Sequence, residues 1–175
     1  MDILAVHLKP FMKNYLIMIL LFLCVQNLTA QSDLNKIFLA SKGSWKSPVE
    51  GGVFVRSNYE YSNSNYMSIQ CDSASPVNAV FAGEVILVNK IDDIFMIITR
   101  YGDYFLGYSN LAAVDVKKGD QIKSGDKIGS AAKNLDDIFS IEIMLGNSEN
   151  DTETDSWFSP CSFKSFDSKA FGKIN

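Results

Sequence analysis

Apolar and polar positions alternate with a period of two through most of the middle of the chain. Tyr66, Ser68 and Gln70 alternate with Met67, Ile69 and Cys71, which predicts a short strand with one apolar face. Val53-Phe54-Val55 begins an earlier strand. Val77–Phe81 and Glu84–Asn89 read as strands joined around Gly83. Ile94–Arg100 and Tyr104–Tyr108 read as a hairpin turned at Tyr101-Gly102-Asp103, where glycine meets the left-handed demand of a tight turn. Ile138–Leu145 is a further strand. Only Ser32–Lys42 has helical spacing, with Leu34, Ile37 and Phe38 on one face. Trp45–Gly52, Ser57–Asn65 and Asp72–Pro76 are rich in turn residues and interrupt these segments. The pattern predicts a mostly antiparallel, all-β chain with a short N-terminal helix.

Val116–Gly129 (VKKGDQIKSGDKIG) repeats a Gly-Asp step after six residues. Val116, Ile122 and Ile128 are expected to point inward, with Lys117, Lys118, Lys123 and Lys127 in water. Gly119-Asp120 and Gly125-Asp126 then sit at turns, each aspartate accepting backbone hydrogen bonds. No glycine-rich run enters a long helix here, and no Gly-Lys-Ser or Gly-Lys-Thr ending follows, so a phosphate loop is a poor fit. The two aspartates also lack the dense oxygen set that calcium requires.

The chain's beginning carries a different pattern. Lys13 precedes an unbroken apolar run, Tyr15–Val25, and Leu28-Thr29-Ala30 supplies residues suited to signal peptidase. We expect residues 1–30 to be a secretory signal peptide, with Met12 as a candidate start, and no stable transmembrane segment after cleavage. Leu23 before Cys24 argues against lipid attachment. The expected organisation is an N-terminal segment 31–44, a β domain 45–158 and an aromatic tail 159–175. Trp157, Phe158, Phe163, Phe166 and Phe171 either pack this ending onto the domain or present a partner-binding segment.

Composition narrows the chemistry. The whole chain has 16 basic and 20 acidic residues and is 47% hydrophobic. Removing 1–30 takes away Lys9, Lys13 and Asp2, which leaves 14 basic and 19 acidic side chains, a net charge of −5. That balance argues against nucleic acid as a partner. Cys71 and Cys161 remain, and two cysteines alone do not establish a disulfide. The only histidine, His7, lies in the expected signal peptide. The remainder would have no histidine for serine or cysteine triads or for a histidine-bearing zinc site.

Pro76-Val77-Asn78-Ala79, Gly83-Glu84-Val85, Tyr101-Gly102, Tyr108-Ser109-Asn110-Leu111 and the Val116–Gly129 stretch follow one another in an order that resembles the LytM or lysostaphin-like zinc endopeptidases. The resemblance runs from Trp45 to about Phe158. It implies an all-β fold, a compact antiparallel β-sandwich or barrel-like body with a duplicated motif, together with export and a link to peptidoglycan. It also implies that the family's early zinc-binding histidine and aspartate fall on Tyr66 and Gln70. Another family histidine falls on Asn110. The late histidine–leucine–histidine–phenylalanine–glutamate run becomes Ile138-Phe139-Ser140-Ile141-Glu142, in which only Glu142 is retained. Isoleucine neither ligates a metal nor accepts a proton. Tyrosine, glutamine and serine make a poor zinc set, and unactivated water has a pKa near 15.7.

The resemblance therefore implies a degenerate member, without metal, cofactor or enzyme activity. The expected role is a binding or regulatory module in the periplasm or outside the cell. It would contact peptidoglycan or a cell-wall hydrolase through a cleft lined by Tyr66, Gln70, Tyr108, Asn110, Ser140 and Glu142, with Tyr59 and Tyr61 reaching over its rim. Tyr66 and Tyr108 could instead simply pack the sheet. A structural adaptor or oligomerising protein of the envelope is the alternative. A hydrolase with a non-standard site, using Glu84, Asp92, Asp93 or Glu142, has the least support, because nothing in the sequence places two carboxylates across a cleft.

Overall fold

The computed structural model describes residues 17–19, 30–56, 66–147 and 154–167. Residues 30–40 are helical. The strands are β1 (Val53–Arg56), β2 (Tyr66–Gln70), β3 (Pro76–Asn78), β4 (Gly83–Ile91), β5 (Ile94–Tyr101), β6 (Tyr104–Val114), β7 (Gln121–Ile122), β8 (Lys127–Lys133), β9 (Phe139–Asn147) and β10 (Ser165–Asp167). They form one sheet in the order β10-β1-β2-β9-β8-β6-β5-β4-β7, with β3 beside β8, and it curls into a half-barrel. All pairings are antiparallel except β1 with β10, which is parallel. Among the described residues no helix is long and apolar enough to cross a membrane.

The period-two pattern decides which face is covered. Met67 and Ile69 of β2, Ile141, Ile143 and Leu145 of β9, and Leu106 and Tyr108 of β6 are buried in the core. Burying such side chains stabilises by roughly 1.5–3 kcal/mol each. An aromatic cluster closes one end. Phe38 is fully buried and stacks on Tyr104 at 4.2 Å, with Trp157 at 4.8 Å and Trp45 at 5.5 Å. Trp157 and Phe158 belong to the core, and Phe163 packs against both Phe54 and Phe158.

Val116–Gly129 is built as the sequence implies. Ile122 and Ile128 are buried, and Val116 packs against the core. Gly119 and Gly125 have φ of +93° and +90°. Asp120 accepts a hydrogen bond from the Lys117 N–H at 2.9 Å, and Asp126 accepts one from the Lys123 N–H at 2.8 Å. Each turn also exchanges two backbone hydrogen bonds with a distant strand segment. Gly119 N–H donates to the Val85 carbonyl while Val85 N–H donates to that of Asp120. Gly125 and Asp126 do the same with Ala79. The six-residue step of the repeat matches the six residues from Ala79 to Val85.

Three local expectations change. Ile37 is 55% exposed, because Gln31 and Asn35 turn the helix by donating to Asp103 at 2.7 and 2.6 Å. The buried stripe therefore passes through Leu34 and Phe38. β3 stops at Asn78, since Ala79 leaves the ladder to bond the Gly125 turn. β2 stops at Gln70, and Cys71 is half-buried beyond it. Cys71 and Cys161 are free thiols. Tyr59, Tyr61 and Phe171 lie outside the described residues, as does the expected signal peptide apart from residues 17–19 and 30.

Candidate functional site

Cross-strand register brings most of the predicted site residues together. β2 pairs with β9 so that Tyr66 faces Met144, Ser68 faces Glu142 and Gln70 faces Ser140. β6 pairs with β9 on its other side, with Ser109 opposite Glu142. Directly opposed residues project to the same side of an antiparallel pair, so these side chains share one face, away from the core. Tyr66 is 43% exposed, and Ser68, Gln70 and Ser109 are half-buried. The exposed Glu142 carboxylate accepts a hydrogen bond from the Ser109 hydroxyl at 3.1 Å. Ser68 and Ser109 were not singled out from sequence. The signal for Ser68 was its place between Tyr66 and Gln70 in the alternation.

Asn110 and Ser140 form the closed end of this face. β6 pairs with β9 up to Ser109 and with β8 from Leu111 onward. Asn110 sits at the fork with φ +58°, a conformation that asparagine tolerates better than most residues. Its amide nitrogen reaches the Ala132 carbonyl of β8 at 3.1 Å, and the carbonyl and hydroxyl of Ser140 in β9 at 2.8 and 3.1 Å. Both residues are buried, at 8% and 2% exposure. Tyr108 is on the opposite, core side, fully buried, and its hydroxyl accepts the Val80 N–H at 3.1 Å. Burial pushes its phenol pKa well above the ordinary value near 10. Ile138, 40% exposed, donates its N–H to the Asn134 side chain just before β9.

The donor set does not fit zinc. Zinc sites are built from thiolates, imidazoles and carboxylates. Tyr66, Gln70 and Ser140 offer neutral oxygens, and the Ser140 hydroxyl already faces an amide donor. Among the described residues no group of three or more His, Cys, Asp or Glu could hold a metal ion.

Comparison with known proteins agrees with this architecture. Residues 62–144 match Peptidase family M23. A protein assigned to peptidase M23 from Pseudomonas aeruginosa superposes with a TM-score of 0.57 at 17% identity, over 70% of this chain and 53% of that one. A chain from the SpoIIQ–SpoIIIAH pore forming complex gives 0.54 at 18% identity, over 67% of this chain and 92% of that one. Csd3 of Helicobacter pylori gives 0.52 at 14% identity, over 67% of this chain and 35% of that one. The chain thus spans about half of the Pseudomonas protein and nearly all of the pore-complex chain. No curated protein matches it. The chain has the M23 peptidase fold without, among the described residues, a group able to hold that family's metal.

Proposed function

We propose that this chain is a non-catalytic, exported binding or regulatory module of the cell envelope. It contacts peptidoglycan or a cell-wall hydrolase through the face bearing Tyr66, Gln70 and Glu142. The observation that carries this reading is the Asn110–Ser140 pair. Positions that the family resemblance assigns to metal and catalytic chemistry are filled by neutral groups that satisfy one another. Beside them the polar row stays open, with the Tyr66 ring available for stacking and Gln70 and Glu142 for hydrogen bonds. Asn110 and Ser140 support this surface from below, and Tyr108 fixes the sheet behind it.

A second reading, an envelope adaptor held by a protein partner, draws on the likeness to a chain from a pore forming complex, almost all of which is covered. One experiment separates the two. The purified mature protein is assayed for zinc by elemental analysis, and for binding and cleavage of purified peptidoglycan. We expect binding without stoichiometric zinc or cleavage, and about tenfold weaker binding for Tyr66→Ala, the loss of one stacking anchor. Zinc with cleavage would overturn the proposal. No binding at all would shift weight to the protein partner.

A further inference from the structure

A second groove lies on other residues. It has two adjoining lobes of about 400 and 490 Å³, within the size range of small-ligand sites. Both are lined by Ser44, Lys46, Ser47 and Asn78, so they meet at these four residues. Its walls come from the segment after the N-terminal helix, the end of β3, the Gly125 turn and the Pro160–Ser162 turn. None of the residues proposed above for peptidoglycan contact lines it.

The hydrogen bonds already made inside the groove define what it can still accept. The Ser44 hydroxyl donates to the Ser41 carbonyl at 2.6 Å, and that of Ser47 to Val49 at 2.6 Å. The Ser124 hydroxyl donates to the Val80 carbonyl at 3.0 Å, and that of Ser162 to Ser159 at 2.7 Å. Their protons are committed to the backbone, so a hydroxyl oxygen with a lone pair left over acts as an acceptor. Ser44 and Ser124 accept no hydrogen bond from another described residue. The half-buried Asn78 side chain likewise has no partner among the described residues, and supplies both a donor and an acceptor. Lys46 and Glu50 are exposed and of opposite sign, so the rim carries no net charge.

An incoming ligand must therefore bring several hydroxyl or amide donors and little net charge. Trp45, Val49 and Phe81 line the groove but are buried or half-buried, so they leave no open apolar pockets of the kind that hold a peptide's side chains. We infer that the groove binds a neutral saccharide chain, separately from the Tyr66–Glu142 face.

The test uses the mature protein with the N-acetylglucosamine tetramer as probe, followed by amide chemical shifts. Residues 44–47, 78–80 and 124–125 should move on titration, and Asn78→Ala should weaken binding about fivefold to tenfold, the loss of one hydrogen-bonding group. Ser124→Ala is the second variant, and thermal melting establishes that each remains folded. No saturable binding would overturn the inference. So would shifts confined to residues 66–70 and 140–144, undiminished binding by both folded variants, or tighter binding of a tetra-alanine peptide. The saccharide inference can thus fail while contact through Tyr66 survives, and the reverse.

Discussion

Tyr108 and Asn110 are two residues apart, yet they do different work on opposite sides of the sheet. Removing the Tyr108 hydroxyl strands the Val80 N–H, itself buried, so Tyr108→Phe should cost about 1–2 kcal/mol in urea denaturation. Burial raises the folded-state pKa of this phenol above its unfolded value near 10. The resulting stabilisation is complete below pH 10 and declines as pH rises, because the unfolded chain ionises first. Cys71, also pushed up by burial, contributes with the same sign. Comparing wild type with Tyr108→Phe between pH 9 and 11 isolates the tyrosine, and the variant should lose stability less steeply. Asn110→Ala should cost about 2–3 kcal/mol in the same assay at neutral pH, since carbonyls of both β8 and β9 lose their donor. The family resemblance assigned Asn110 and Ser140 to one cleft, but could not say that they bond each other. That contact depends on a fork in the sheet, and no local spacing encodes it. Alternation does place Tyr108 on the buried face of Tyr104 and Leu106, and the β6 ladder shifts register against β5 only beyond it, between Tyr108 and Leu111.

At the scale of elements, the turns are the most legible part. Glycine followed by aspartate names its own geometry, and both copies have it. The strands were legible in their apolar centres and less so at their ends: β3 stops where Ala79 bonds the Gly125 turn outside the ladder, whereas the Cys71 N–H beyond β2 still donates to the Phe139 carbonyl of β9. Gly129 shows what a strand pattern conceals. A Cβ there would collide with the Ala113 carbonyl oxygen across the β6–β8 pair. Gly129→Ala must push these strands apart, and we expect a loss of more than about 3 kcal/mol with a lower thermal midpoint. A melting curve like that of wild type would show that β8 shifts more freely than its close packing implies.

Across the whole molecule, residues far from the matched family region complete the core. The helix at 30–40 inserts Phe38 between Tyr104, Trp157 and Trp45, while β10 joins the edge of the sheet beside β1. Helical spacing and aromatic content marked both ends as candidates for packing, but not their destination, since docking unites residues more than 60 positions apart. Phe38→Ala should cost about 3–5 kcal/mol, measured by denaturation of the mature protein, because the neighbouring rings cannot collapse into the void. The Asn110 fork has a consequence of another kind. Its amide nitrogen serves carbonyls on β8 and β9 while its own backbone belongs to β6, so three strands are joined at a single side chain. Their local opening is thereby coupled: with Asn110 replaced, amide hydrogen exchange should quicken along the facing ends of all three rather than on one alone.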